Sequence, residues 1–596
     1  MKKHLNSIVN IFKIWICSHK KILKRVGMCV LNIIIVTVIS MAGLYFYIQN
    51  KYPKEIVFDG AYHDITLFDM DFSDRDISGN YESGEAVYIN ASNGIIEADN
   101  SDKYTVENKT IKIYSAGTYI LTGELDEGMI IISAADEDKV QLVFAGFTIS
   151  NSSNPVVYIK SADKVFLTTA KGTVNTFSDG KGYTYMDGDS NIDAAIFSKA
   201  DLTLNGMGEM VVKGNSAHGV VSKDDLIIGS GKYKIDSVKK ALNGKDCVKI
   251  YNCEMALIAG TDGICSDNNE STERGYIYIK NGEIDINCGN DGIQAENVIV
   301  MDAPTIDIVS GGGSINAPAK KSNKAKGRHE NEIIEEQEIT ESMKGLKSAK
   351  DILISAGKYT IDSYDDSIHA DHSVKICDGE FCIKSGDDGI HAEHTLQITN
   401  GKIKIEKSFE GLEAYQIAIN GGDISVIASD DGINAASESS VKSEIEGFFA
   451  MQILGKLEIT GGALMVDSEG DSIDSNGILT ISGGTILVAG PRGGGGGDGI
   501  VDCDGSRTVN GGTVLCIGKD SNGFSGSEDY FETEDQLQIV KLVEEHPVGT
   551  IIEMKNSEGM ILATFIAPKD FDLIVATFEG ISSESDCVLF LNGEKQ

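Results

Sequence analysis

Pairs of acidic residues recur at a nearly constant spacing in the middle of the chain. The repeated unit is an acidic pair, a small residue and an aliphatic residue, and it occurs at 365–368, 387–390, 409–412 (where Phe409 replaces the first acid) and 430–433. The aliphatic residues follow one another at steps of 22, 22 and 21 residues. Carboxylates at this density are suited to a hard cation such as Ca²⁺, which takes about six to eight oxygen ligands.

The constant period puts the second acid of each unit at one position of successive repeats. We call this set the acid ladder; its predicted members are Asp262, Asp291, Asp366, Asp388, Glu410 and Asp431. The first acids of the pairs, Asp365, Asp387 and Asp430, extend it sideways. At a stacking distance of about 4.8 Å, neighbouring carboxylates would repel each other by roughly 3 kcal/mol at an effective dielectric of about 20. These nine residues therefore predict a Ca²⁺ site, and the alternative is that the acids only form turns.

Basic and imidazole side chains lie beside the predicted ladder. Lys344 and Lys347 belong to the same repeat, one period before Asp366, and His369 and His391 each follow an aliphatic residue of the repeat directly. We predict that these four residues bind a ligand. For the two histidines, ligand contact, metal binding and simple exposure to solvent all remain open. Acids also follow the aliphatic residue by three positions, as at Asp371.

The residues between the acidic units alternate apolar and polar side chains, as at 395–398 and 402–405. Three short strands and three turns per 22 residues are typical of one coil of a parallel β-helix, in which a coil buries its apolar face only by stacking on its neighbours. We predict an all-β, right-handed parallel β-helix at 191–530, preceded by a β cap and first coils at 55–190 and followed by a C-terminal β cap at 536–596. The charged segment 314–342 predicts a disordered insertion, and the alternative is a basic arm that holds an anionic glycan.

The N-terminal region predicts a membrane anchor. Residues 26–48 are 23 uncharged and largely apolar residues, long enough for one transmembrane helix. Four basic residues at 20–25 precede this run and predict a cytoplasmic tail at 1–25. We therefore expect a single-pass protein of the cell membrane whose C-terminal body is extracellular; the alternative is a cleaved signal peptide.

The charge of the body excludes several partners. Residues 55–596 contain 90 acidic and 43 basic residues, a formal charge of −47, which repels nucleic acid and anionic lipid surfaces. The nine cysteines in this region include no C-x-x-C pair and give no zinc pattern. Arginine is sparse, and no arginine stands beside the acid ladder in the repeat. This argues against a lyase that uses arginine as its base, and leaves Lys344 and Lys347 as the best candidates for that role.

Several stretches resemble a known family of bacterial surface proteins. They are Ala116–Gly123, Ala194–Leu202 and His218–Leu226, together with the repeated Asp-Asp-Gly-Ile units and the Gly-Gly-x-aliphatic strands. The chain resembles the clostridial carbohydrate-binding β-helix family, whose members bind cellulose and polygalacturonate. The resemblance covers roughly residues 60–595. It implies a right-handed parallel β-helix with bound calcium, similar to pectate lyases but binding polysaccharide without cleaving it.

Together these observations predict a calcium-dependent, non-catalytic binder of acidic plant-type polysaccharide, with cellulose as a second candidate ligand. The runner-up is a calcium-dependent polysaccharide lyase, and a third reading is a structural spacer or adhesin on the cell surface. We expect a monomer that contacts the membrane through residues 26–48 and does not bind nucleic acid.

Overall fold

The computed structural model describes residues 62–92, 95–99, 102–184, 191–320, 341–436, 455–492, 499–520, 531–533, 537–581, 583 and 586–596. All of them belong to the compact unit Phe58–Gln596. The predicted tail at 1–25 and the predicted anchor at 26–48 lie outside these residues. Within the ranges described, no helix combines the length and the apolar character needed to cross a membrane.

Two short helical elements lie near residue 70. A 3-10 helix covers Ile65–Leu67, and helix α1 covers Asp74–Ser78. Ser73 and Asp76 form a capping box at the start of α1, which satisfies free N–H groups of the first turn. The helix ends at Gly79, whose φ of 58° is left-handed and favours glycine.

Parallel β-strands stack in three ladders, and successive coils of the chain add one strand to each of them. Ladder A comprises β4 (Thr110–Ile113), β6 (Met129–Ser133), β8 (Val157–Ser161), β11 (Ala194–Ser198), β14 (His218–Ser222), β17 (Leu242–Gly244), β20 (Ile264–Ser266), β23 (Ile293–Ala295), β26 (Leu346–Ser348), β29 (Ile368–Ala370), the first parts of β32 (Ile390–Ile398) and β34 (Leu412–Ile419), β36 (Ile433–Ala435), β39 (Ile473–Ser475) and β42 (Val501–Cys503).

Ladder B follows ladder A along each coil. It comprises β1 (Val87–Ser92), the first parts of β5 (Gly117–Leu125) and β7 (Lys139–Ser150), β9 (Lys164–Thr169), β12 (Asp201–Gly206), β15 (Asp225–Ile228), β18 (Cys247–Ile250), β21 (Tyr276–Ile279), β24 (Ile299–Met301), β27 (Asp351–Ile354), β30 (Ser373–Ile376), the later parts of β32 and β34, β37 (Lys456–Ile459), β40 (Ile478–Ile481), β43 (Arg507–Val509) and β45 (Glu532–Thr533).

Ladder C completes the coil. It comprises the ends of β5 and β7, β10 (Val174–Ser178), β13 (Glu209–Gly214), β16 (Lys232–Ser237), β19 (Glu254–Ala259), β22 (Glu283–Cys288), β25 (Thr305–Ser310), β28 (Lys358–Ser363), β31 (Glu380–Ser385), β33 (Lys402–Lys407), β35 (Asp423–Ala428), β38 (Ala463–Ser468), β41 (Thr485–Ala489) and β44 (Thr513–Gly518).

The core runs along the inside of these ladders. In β16 and β19 the residues alternate strictly between exposed and buried, which is the period of a strand with one face inward. Inward side chains contact the same position of the next coil; for example, the rings of Tyr359 and Phe381 stack with their centroids 4.6 Å apart. The predicted all-β, parallel, coil-stacked architecture is confirmed. Its right-handed sense stays a prediction.

Antiparallel strands flank the parallel stack at both ends. Near the N-terminus β2 (Ile95–Ala98) pairs with β1, and β3 (Tyr104–Glu107) pairs with β4. At the other end β49 (Phe571–Phe578) pairs antiparallel with the last strand of ladder C and with β46 (Gln538–His546). Such antiparallel partners cover strands that would otherwise offer open hydrogen-bonding edges.

A second sheet completes the C-terminal region. It consists of β47 (Ile551–Asn556), β48 (Ile561–Ile566), β50 (Cys587–Leu591) and β51 (Glu594–Lys595), all paired antiparallel. Side chains from this sheet and from β49 pack in a small core of their own, which includes Phe565 and Phe571. The C-terminal region therefore folds around a separate apolar cluster.

Candidate functional site

Ladder A places the predicted acid ladder in one column. Leu346, Ile368 and Ile390 are aligned partners in three successive coils, and the acid-ladder position is two residues before each of them. The same alignment continues through Leu412 and Ile433. The predicted carboxylates thus lie in line along one side of the stack, with Lys344 at the same position among them.

The aspartates of the acid ladder each bind the backbone of the next coil. Oδ1 of Asp366 accepts a hydrogen bond from the N–H of Asp388 (3.0 Å), and Oδ1 of Asp388 accepts one from the N–H of Glu410 (3.2 Å). The same bond recurs from Asp291 to Asp262, Lys344 to Asp291, Asp471 to Asp431 and Gly499 to Asp471. One oxygen of each of these acids therefore helps to hold the coils together, a role that the sequence analysis did not predict.

The glycine of the repeated unit does not adopt a left-handed backbone conformation. Neither Gly389 nor Gly411 has a positive φ. A Cβ on Gly389 would instead lie 2.6 Å from the carbonyl oxygen of Gly411 in the next coil, and one on Gly411 would lie 2.3 Å from that of Gly432. Close stacking of the coils explains these glycines, so the left-handed turn explanation does not hold for them.

The N-terminal half of the site is rich in cations. Nζ of Lys344 lies 2.6 Å from Oδ2 of Asp366 and 2.9 Å from Oδ2 of Asp365, and Nδ1 of His369 lies 2.8 Å from Oδ2 of Asp366. Burial alone raises the pKa of Asp366, but Lys344 and His369 outweigh it and hold the pKa of this carboxyl well below its usual range. Asp366 is therefore a fully ionised carboxylate with cationic partners.

The two predicted histidines are buried between carboxylates. His369 and His391 are only 9% and 7% exposed, so exposure to solvent, one of the three possibilities left open by the sequence, is not observed. Nε2 of His369 lies 3.0 Å from Oδ1 of Asp371. Burial lowers the pKa of His369, but its hydrogen bonds to Asp366 and Asp371 outweigh burial and raise the pKa to about 9. His369 therefore carries a positive charge at neutral pH.

His391 bridges the two halves of the site. Its Nδ1 lies 3.5 Å from Oδ2 of Asp388, 3.6 Å from Oε2 of Glu413 and 3.8 Å from Oδ2 of Asp366. Burial lowers the pKa of His391, but the hydrogen bond to Asp388 and the charge of Asp366 raise it overall. The imidazole thus lies among three carboxylates, which favour its protonated form.

The C-terminal half of the site is rich in acids. Burial, followed by the negative charge of Asp388, raises the pKa of Glu410 to about 9. Burial and the charges of Asp388 and Asp366 likewise raise the pKa of Asp387 to about 7, although Lys320 contacts this carboxylate. Burial and the neighbouring carboxylates therefore both disfavour the ionised forms of Glu410 and Asp387.

Because Gly470 has no side chain, it leaves space for the carboxylates of Asp430 and Asp431 in the acid-rich half. A Cβ on this residue would lie 2.4 Å from Oδ1 of Asp431 and 2.6 Å from Oδ1 of Asp430. The two carboxylates therefore converge on a space that any side chain at position 470 would fill. Asp430 and Asp431 are both buried, at 8% and 3% exposure.

A cleft of about 510 Å³ opens beside the cation-rich half. Three of the four predicted ligand-binding residues line it, namely Lys344, Lys347 and His369; His391 does not. The described ends of the predicted insertion 314–342 also line the cleft, and they include Pro318, Lys320 and Ser342. The described ends of the predicted insertion therefore lie against the site. Residues 321–340 lie outside the described ranges.

The donor set of the ladder fits Ca²⁺, which takes oxygen ligands. Asp365, Asp366 and Asp387 offer oxygens within 4.8 Å of one another, about twice a Ca–O distance of about 2.4 Å. Lys344, however, already contacts the first two of these carboxylates. Asp388, Glu410 and the carboxylates beside Gly470 supply further oxygens, and Ca²⁺ bound there would offset the repulsion between Asp388 and Glu410.

Several residues of the site were missed by the sequence analysis. Asp471 occupies the acid-ladder position of the Ile473 coil, and Lys240 and His218 occupy it in earlier coils. The offset of two residues before the aliphatic residue could have found all three. Nothing in the repeat could have found Lys320, because it reaches Asp387 from the insertion.

Comparisons with known proteins agree with this arrangement. A family model described as "carbohydrate-binding domain-containing protein" matches residues 107–389 and 387–541. The chain belongs to this carbohydrate-binding domain family. A relative of the same description from Acetivibrio thermocellus is 30% identical over 224 residues, which are 37% of this chain and 78% of that protein. The family level of the predicted resemblance, and with it a polysaccharide partner, is therefore confirmed.

One solved structure is also similar to this carbohydrate-binding domain protein. It is described as a polysaccharide lyase-like protein from C. thermocellum, gadolinium derivative. It is 30% identical, covers 38% of this chain and 92% of its own, and superposes with a TM-score of 0.38. Membership of the carbohydrate-binding family favours binding over catalysis, whereas the description of this neighbour refers to a lyase-like protein.

Proposed function

We propose that this protein is a cell-surface, calcium-dependent receptor for acidic polysaccharide such as polygalacturonate, and that it binds the polymer without cleaving it. Cellulose is the second candidate ligand. The observation that carries the proposal is the position of the cleft. Lys344, Lys347 and Lys320 line it, and they lie beside the carboxylates that fit Ca²⁺.

A body of formal charge −47 does not attract an anionic polymer by itself. The cleft is a local exception, because three lysines and His369 face it. Ca²⁺ held by ladder carboxylates would add positive charge and leave coordination positions for a uronate carboxylate. The stacked coils repeat the same positions along the axis, as an extended polymer of acidic sugars requires.

The protonation states argue against lyase chemistry at this site. A uronate lyase needs an unprotonated base to remove the proton next to the carboxylate. Burial lowers the pKa of Lys344, but Asp366 and Asp365 outweigh burial and raise the pKa above its usual value. The pKa of His369 is also raised, to about 9. Both groups are therefore cationic at neutral pH, which suits recognition of an anion better than proton abstraction.

The test is binding of oligogalacturonate and of cello-oligosaccharide, measured calorimetrically with Ca²⁺ and again with chelator. We expect oligogalacturonate to bind only with Ca²⁺, and Lys347→Ala to weaken this binding about tenfold or more, the loss of a charge-assisted contact worth roughly 1.5–3 kcal/mol. Lys358→Ala removes a lysine from ladder C, away from the cleft, and serves as the matched control. Calcium-independent binding, or equal effects of the two substitutions, would overturn the proposal.

A second measurement separates binding from cleavage. Prolonged incubation with polygalacturonate and Ca²⁺ should produce no ultraviolet absorbance from unsaturated uronate. If such absorbance grows and Lys347→Ala removes it, the protein is a lyase. If neither acidic nor neutral glycans bind or react, the remaining reading is a structural spacer or adhesin.

A further inference from the structure

A second cluster of metal-ligating side chains lies on ladder B, outside the acid ladder. Asp351 is the first residue of β27, and His372 directly precedes β30 in the next coil. His63 reaches the same point from the N-terminal segment, 288 residues away in sequence from Asp351. One ring nitrogen of each histidine and an oxygen of Asp351 lie within 4.8 Å of one another.

The carboxylate of Asp351 is fully buried, at 0% exposure, and both of its oxygens face imidazoles. Nδ1 of His63 lies 3.0 Å from Oδ2, and Nδ1 of His372 lies 2.7 Å from Oδ1. The backbone N–H of His63 also donates to Oδ2 (2.5 Å). This donor fixes the orientation of the carboxylate, and a ring nitrogen of each histidine lies within 4.8 Å of the other and of an Asp351 oxygen.

We propose that His63, Asp351 and His372 bind one divalent transition-metal ion of the Zn²⁺ type and thereby fasten the N-terminal segment to the coils. Two imidazoles and one carboxylate are a common protein ligand set for zinc, with solvent in the fourth position. Zinc–ligand distances of about 2.0–2.2 Å require tetrahedral ligand atoms roughly 3.3 Å apart. The measured nitrogen–oxygen distances of 3.0 and 2.7 Å are shorter than this value, so the imidazoles must move slightly away from Asp351 to admit the ion.

The site differs from the acid ladder in the ion that it selects. Ca²⁺ takes oxygen ligands almost exclusively, whereas imidazole favours zinc and its neighbours. The side chains of His63 and His372 are 39% and 26% exposed, so an ion and its water ligand can reach them from solvent. The buried side of the site is closed by Asp351.

The test is titration of the metal-free full chain with Zn²⁺ and with Co²⁺, in the presence of excess Ca²⁺ to fill the acid ladder. We expect one equivalent of Zn²⁺ to bind, and one equivalent of Co²⁺ to give the visible absorption of a four-coordinate ion. His63→Ala and His372→Ala should each weaken binding by more than the 10–100-fold typical of losing an outer-shell partner. His63→Ala keeps the backbone N–H that Asp351 uses, so this variant should fold normally.

Two control variants separate this site from other histidines. His546→Ala removes a histidine of the C-terminal region, which stacks on Phe571, and should leave binding unchanged. His391→Ala removes the imidazole shared by the acid ladder and should also retain the zinc equivalent. Failure of the wild type to bind Zn²⁺, persistence of the site in the His63→Ala His372→Ala double variant, or loss of it in His391→Ala would each overturn the proposal.

Discussion

Lys344 occupies the position that Asp366 occupies one coil later, and its Nζ lies 2.6 Å from the carboxylate of Asp366. Lys344 therefore neutralises the first carboxylate of the Asp366–Asp431 series. The column changes along its length from ion pairs at this end to clustered carboxylates at the other.

Replacing Lys344 should destabilise the fold strongly. Lys344→Met leaves the carboxylate of Asp366 buried with one cationic partner fewer, and breaking a buried pair typically costs about 3–5 kcal/mol. Urea denaturation in the presence of chelator measures this cost without interference from Ca²⁺. Lys139→Met is the control: Lys139 and Asp163 form an exposed pair, worth about 0.2–1 kcal/mol. Equal losses in the two variants would contradict the proposed role of Lys344.

Millimolar Ca²⁺ should raise the melting temperature, and Asp388→Asn should reduce that rise. Asparagine keeps the Oδ1 that accepts the N–H of Glu410 but removes the negative charge, so the coil contact survives while the ion loses a ligand. Extracellular Ca²⁺ sites have dissociation constants of about 10⁻⁴–10⁻³ M, and binding to the native state alone stabilises it.

The control for this prediction is Asp378→Asn. Oδ1 of Asp378 also accepts a backbone N–H, that of Gly379 at 2.8 Å, but the residue lies in an exposed turn outside the ladder. Its calcium response should equal that of the wild type. An unchanged melting temperature of the wild type on addition of Ca²⁺ would mean that the acids only hold the coils together.

Gly470→Ala should weaken calcium binding. The added methyl group would lie 2.4 Å from Oδ1 of Asp431 and 2.6 Å from Oδ1 of Asp430, so both carboxylates must move. We expect a loss of about 1–3 kcal/mol in unfolding free energy, typical of overpacking, and a lower Ca²⁺ affinity by calorimetry. Gly84→Ala, whose added methyl group meets no atom within 4 Å, is the control. Unaltered Ca²⁺ affinity in Gly470→Ala would remove Asp430 and Asp431 from the site.

His218 should make stability depend on pH under mildly acidic conditions. Burial lowers the pKa of His218 to about 4; Lys240 acts in the same direction and Asp193 opposes it. Between about pH 6.5 and 4 the unfolded chain holds a proton that the native state lacks. The stabilisation from neutral His218 is therefore complete above pH 6.5 and is lost as the pH falls towards 4, by at most about 1.4 kcal/mol per pH unit.

The measurement is urea denaturation of wild type and His218→Gln across this pH range, with His546→Gln as the control histidine. The difference between wild type and His218→Gln should shrink as the pH falls, because the glutamine does not titrate. A difference that stays constant from pH 7 to 4 would show that burial does not perturb His218.

The predicted anchor at 26–48 can be tested on intact cells. Protease added outside should remove the body and leave the tail at 1–25 intact, because the basic residues before the anchor favour a cytoplasmic N-terminus. Permeabilised cells, in which the tail also becomes accessible, provide the control. A body that is protected in intact cells would contradict the proposed location.

The sequence by itself determined the repeat and what depends on it. Strand alternation and the step of 22 residues are local properties, so they fixed the three strands of each coil and the column that contains Asp366 and Asp388. Asp471 also lies in this column, because it is two residues before the aliphatic residue Ile473. The sequence alone therefore predicts which residues of the acid ladder share a column and are candidate Ca²⁺ ligands.

Only the tertiary structure decided how those carboxylates are used. Their hydrogen bonds to the next coil, the burial of His369 and the pairing of Lys344 depend on distances that spacing does not specify. Lys320 and His63 approach their partners from segments outside the repeat, 67 and 288 residues away in sequence. Periodicity fixes which residues share a column, whereas contacts between distant segments depend on how the whole chain packs.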